Sequence, residues 1–70
     1  MSAARRIITV NGKPHEVGAA TLEAVLAELG FGAAKVATAL NGDFVPAARR
    51  GHAQLADGDR VEVVSARAGG

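Results

Sequence analysis

The sequence predicts an α+β fold, one helix packed across one face of a mixed sheet of about five short strands. Three observations predict it. Asn11-Gly12 and Asn41-Gly42 each separate short apolar or β-branched segments and mark hairpins. Leu22, Val25, Leu26 and Leu29 fall at i, i+3, i+4 and i+7, a single helical stripe. Arg60-Val61-Glu62-Val63-Val64-Ser65 reads as a strand near the end of the chain.

Taken in order, Arg6-Ile7-Ile8-Thr9-Val10 is a strand that sends Ile8 and Val10 inward. Asn11-Gly12 accepts the positive φ of a type I′ turn. The return strand runs from Lys13 to Val17, with Pro14 on a sheet edge and Val17 inward. Gly18-Ala19-Ala20 breaks the pattern. Thr21 is the N-cap of the helix, and Glu23 lies in its first turn, where the helix dipole favours an acid. Gly30 stands at the C′ position, for a helix of about nine residues. Leu26, in the middle of the stripe, belongs at the centre of the helix–sheet interface.

Phe31 to Lys35 is a connection. Val36-Ala37-Thr38-Ala39-Leu40 is the third strand, and Asp43-Phe44-Val45 its short partner, stopped by Pro46. Ala47 to Ala56 has no clear period and has room for one helical turn. Asp57-Gly58-Asp59 is a turn. The last strand places Val61 and Val63 on one face, Glu62 and Val64 on the other. First and last strands pair in parallel at the sheet centre, with the helix in a right-handed crossover. That order is the β-grasp, or ubiquitin-like, topology. Residues 1–65 form the single domain. Residues 66–70, Ala66-Arg67-Ala68-Gly69-Gly70, form a flexible small-residue tail.

Composition excludes several functions. Of 70 residues, 49% are apolar, but sixteen are alanine and only seventeen are Val, Leu, Ile or Phe. A domain this small buries roughly 60% of its unfolded surface, which leaves little room for a deep catalytic pocket. With no cysteine there is no disulfide and no thiolate nucleophile. His15 and His52 are too few for a metal site. A net charge of +1 and only two aromatics, Phe31 and Phe44, argue against a nucleic-acid binder. No apolar run reaches the ~20 residues of a membrane span. Ile7-Ile8 is too short for the apolar region of a secretory signal. The expectation is a cytoplasmic protein, monomeric when free, that binds no cofactor or metal of its own.

Val10-Asn11-Gly12, the helix from Thr21 to Leu29, Val36 to Gly42, Phe44-Val45-Pro46, Leu55 to Val64 and the terminal Gly69-Gly70 stand in an order and spacing that matter together. Together these segments resemble the ThiS family, the sulfur carriers of thiamine biosynthesis. The resemblance implies a protein co-substrate and not an enzyme. A ubiquitin-activating-type adenylating enzyme, using ATP and Mg²⁺, would convert the Gly70 carboxylate to an acyl-adenylate. A persulfide sulfur donor would leave a thiocarboxylate on Gly70, and thiazole synthase would take up the sulfur. Three positions depart from the family pattern. Ala47 stands where a basic residue is usual after Pro46, and Arg50 where an aromatic is usual. Arg67 replaces an apolar tail residue.

An α-carboxyl is ionised at neutral pH and can attack the α-phosphate of ATP. Gly69 and Gly70 lack a Cβ and can thread a narrow channel. From Ser65 to Gly70 an extended chain reaches about 17 Å. Partner contacts are expected at Gly69, Ala68 and Arg67 along the tail. On the outer sheet face they are expected at Val64, Glu62 and Ala39. Arg49, Arg50 and Arg60 are either further contacts or a solubilising surface. Other readings stay open: the small subunit of a molybdopterin synthase, a ubiquitin-like modifier joined to lysine through Gly70, or an interaction module with an inert tail.

Overall fold

Strands β1 (Arg6–Val10) and β2 (Lys13–Val17) form the first hairpin, in a register that pairs Val10 with Lys13 and Ile8 with His15. Asn11 at φ 52° and Gly12 at φ 86° supply the two left-handed positions that a two-residue turn requires. The structure, a computed structural model, describes residues 5–31 and 35–65. Pro14 lies on β2, the edge strand, where its missing N–H costs no ladder bond.

Helix α1 spans Leu22–Glu28. The Thr21 hydroxyl accepts from the Ala24 N–H at 3.2 Å, as its N-cap position predicts. Seven residues are helical, nine with the caps Thr21 and Leu29, and a Schellman motif closes the helix at Gly30, the predicted C′ position. Gly30, at φ 94°, donates to the Ala27 carbonyl, and the Phe31 N–H donates to that of Leu26. Leu22 and Val25 are fully buried, and Leu26 is nearly so.

Strands β3 (Val36–Leu40) and β4 (Asp43–Val45) make the second hairpin around Asn41-Gly42, with the same left-handed pair of residues. Residues 32–34 of the predicted connection lie outside the described residues. Ala47–His52 is a six-residue 3₁₀ helix, longer than the single turn its sequence predicts. It shows no apolar period because a polar side chain ties it down. The Arg50 guanidinium donates to the Thr38 hydroxyl at 3.0 Å and to the Val36 carbonyl at 2.6 Å. Thr38, a buried polar residue in the middle of β3, in turn donates to the Val45 carbonyl at 2.8 Å. The segment that follows supplies Leu55 to the core, which its sequence did not signal.

Strand β5 (Arg60–Ser65) runs parallel to β1 and antiparallel to β3. Among the described residues the sheet order is β2-β1-β5-β3-β4. β5 is therefore the central strand, as the β-grasp expectation requires. Ile8, Val10, Val17, Val61 and Val63 point from the sheet to meet Leu22, Val25 and Leu26 of the helix. Removing the Arg50 side chain leaves the Val36 carbonyl and the Thr38 hydroxyl short of a partner. Arg50→Ala should cost about 1–3 kcal/mol in urea denaturation. An unchanged midpoint would return Arg50 to the class of idle surface cations.

Candidate functional site

The helix covers one face of the sheet, and on the other face the described residues include exposed side chains on β1, β4 and β5. Alternation along β5 buries Val61 and Val63 and exposes Glu62 and Val64, with Val64 62% accessible. The β3–β5 register places Ala39 opposite Glu62 and Ala37 opposite Val64. The β3–β4 register places Phe44 opposite Ala39. Phe44, Ala39 and Glu62 thus form one outward row across three strands, and Ala37 and Val64 the start of the next. Two large apolar side chains stand in the open on this face, since Phe44 is 69% accessible. A third exposed apolar residue, Ile7, lies on the same face toward the other end of β1.

The structure brings together three of the predicted contact residues, Val64, Glu62 and Ala39. Arg67, Ala68, Gly69 and Gly70 lie outside the described residues. Sequence reasoning passed over Phe44. The signal was present: a two-residue Asn41-Gly42 turn fixes Leu40 opposite Asp43 and therefore Ala39 opposite Phe44. An outward Ala39 carries an outward Phe44 with it.

Two asparagines hold the central strand from both sides. The Asn11 side chain accepts from the Val63 N–H at 2.8 Å and donates to the Val63 carbonyl at 2.9 Å. This continues the β1–β5 ladder beyond its last backbone bond, from the Asn11 N–H to the Val61 carbonyl at 2.9 Å. The Asn41 side chain accepts from the Arg60 N–H at 2.9 Å and donates to Asp59 at 3.1 Å. Each Asn-Gly pair is thus a turn and a clamp on β5, the strand that leads to residues 66–70. The turn before β5 is equally polar. Asp59 accepts from the Ala56 N–H within the turn, and Asp57 accepts from the Ile7 N–H and ties the turn to β1.

Arg49 and Arg60 are exposed, whereas Arg50 is occupied within the fold. Among the described residues there is no group of three or more His, Cys, Asp or Glu side chains that could hold a metal ion. No helix among them is long and apolar enough to cross a membrane.

A model of the ThiS family matches residues 8–70 of the chain. The chain belongs to the ThiS family. The match runs from Ile8, within β1, through the helix, the second hairpin and β5 to Gly69-Gly70. The solved structures include a similar one, a thiamine biosynthesis protein (ThiS) from Geobacter metallireducens. The two share 35% sequence identity at a TM-score of 0.74, over 91% of this chain and 99% of that one. No curated protein sequence matches. ThiS proteins are β-grasp sulfur carriers of thiamine biosynthesis, and the mixed five-stranded sheet with one helix matches that fold.

Proposed function

We propose that Gly70 is the sulfur-bearing residue of this ThiS carrier, and that the outer face of β3, β4 and β5 docks the enzyme that loads it. A carrier of this family is acted on by other proteins and is not itself a catalyst. In the first step a Gly70 carboxylate oxygen attacks the α-phosphate of ATP on the adenylating enzyme. Pyrophosphate leaves, and the acyl-adenylate forms with Mg²⁺ at the partner's site. The terminal sulfur of a persulfide then attacks the acyl carbon and displaces AMP. A thiol cleaves the resulting sulfur–sulfur bond, and Gly70 keeps one sulfur in place of one oxygen. Thiazole synthase receives that sulfur.

The observation that carries this reading is the reach of the family match to Gly70 itself. The sheet supports it in a second way. β5 is central, paired on both sides and clamped by Asn11 and Asn41, so the base from which residues 66–70 extend is held rigidly. Contacts along Arg67, Ala68 and Gly69 would then guide the carboxylate to the nucleotide. The intact mass after incubation with the adenylating enzyme, ATP and a sulfur source tests the reading. The expected gain is one sulfur for one oxygen, at Gly70. A mass that stays unchanged would overturn it.

Docking has its own test. Val64→Asp places a charge on the exposed face without entering the core, so the fold should persist. Against a partner, the unpaired carboxylate is buried, and binding should weaken by about tenfold or more. Calorimetric titration of a folded Val64→Asp protein with wild-type affinity would remove the face from the interface.

A further inference from the structure

Between β4 and the 3₁₀ helix lies an open groove of about 480 Å³, lined by Phe44, Val45, Pro46, Arg49, His52 and Ala53. Its floor is apolar and its rim is basic. None of the lining residues is acidic, and Asp43, next to Phe44 in sequence, does not line it. Arg49 is exposed and has no ion-pair partner among the described residues, where the one such pair joins Arg5 to Glu16. The sheet does not use this cation, in contrast to Arg50 next to it.

The groove sits toward the end of the sheet at which β5 finishes with Ser65. Val45, Thr38 and Val63 form one row across β4, β3 and β5. Ser65 lies two residues beyond Val63, so the groove is about 10 Å to the side of the strand that leads to Gly70, two strand spacings away. It is also continuous with the outer face, because Phe44 belongs both to the outward row and to the groove wall.

We infer that this groove seats an acidic segment of the adenylating partner, with an apolar side chain against Phe44, Val45 and Pro46 and a carboxylate on Arg49. The inference rests on the carrier reading above. A protein that draws Gly70 into its active site must pass this end of the sheet. A carboxylate brought beside an apolar floor is partly desolvated there, and a guanidinium offers it a two-pronged partner. The apolar floor supplies the anchor and the cation the selectivity. A basic or neutral segment would leave Arg49 facing a closed interface without a counter-charge.

Calorimetric titration of the full chain with its adenylating enzyme, at low and at high salt, tests the inference. Arg49→Glu should weaken binding by about tenfold or more and flatten the salt dependence, whereas Arg49→Lys should keep most of the affinity. Phe44→Ala should weaken binding to a similar extent and leave the salt dependence as in wild type. Circular dichroism checks that each variant is folded, which the exposure of both residues favours. If Val64→Asp binds poorly while Arg49→Glu and Phe44→Ala bind like wild type, the groove is not part of the interface and the carrier reading stands. If all three bind like wild type, the docking face and the groove fall together. A salt dependence unchanged in Arg49→Glu would overturn the acidic character assigned to the partner.

Discussion

A single alanine added after Gly70 should abolish sulfur loading while leaving the fold and the docking of the carrier intact. The extended chain still ends in a free carboxylate, so the nucleophile is chemically unchanged. Its position is not. One more residue moves the carboxylate by about 3.4 Å along an extended chain. Attack on a phosphate tolerates far less, since a misplacement of 1 Å can cost on the order of 10²-fold in rate. Gly69→Val should fail for a different reason. The carboxylate keeps its distance from β5, but a β-branched side chain now has to enter a channel suited to a chain without Cβ atoms. β5 ends at Ser65, so neither change touches the sheet. ATP–pyrophosphate exchange with the adenylating enzyme reads the first step, and intact mass reads the second. Both variants should show the far-UV spectrum of wild type and no loading. Sulfuration of the extended chain at the wild-type rate would remove Gly70 as the reacting residue.

Much of the frame was legible in the sequence because local chemistry and global fold agree in this chain. Asn11-Gly12 and Asn41-Gly42 set two hairpins and their registers, and Thr21 and Gly30 set the ends of the helix. Alternation along β5 gave Glu62 and Val64 their outward face. What escaped had no period to reveal it. The 3₁₀ helix is held by the Arg50 guanidinium on the Thr38 hydroxyl and the Val36 carbonyl, long-range polar contacts that no pattern in Ala47 to His52 announces. The second role of each Asn-Gly pair was hidden for the same reason. A turn residue that clamps Val63, fifty-two positions away, is visible only once β5 lies beside β1. Arg50 itself secures this 3₁₀ segment with hydrogen bonds, and Arg49 beside it has no ion-pair partner among the described residues.

Leu22→Ala should be the most damaging truncation in the helix. A seven-residue helix has no stability of its own, because isolated helices shorter than about 12–15 residues are marginal in water. It persists here through its cap, its Schellman closure and its buried stripe. Leu22 is fully buried at the first turn, against a core to which the sheet contributes Ile8, Val10, Val17, Val61 and Val63. Its N–H donates to the Ala53 carbonyl at 2.9 Å, so the backbone at this point is tied to the segment after the 3₁₀ helix and cannot slide in to fill a void. Loss of a leucine side chain at such a site costs about 2–5 kcal/mol. Domains of this size hold a total of roughly 4–10 kcal/mol, on the scale of 0.05–0.15 kcal/mol per residue. Urea denaturation should therefore show the midpoint falling by about a fifth or more. Leu22→Met, which conserves volume, should lose less than about 1.5 kcal/mol. Ala27→Ser, on the exposed face, should leave the midpoint nearly where it is. If Leu22→Ala and Ala27→Ser unfolded together at the wild-type midpoint, the helix would not be packed on this face of the sheet.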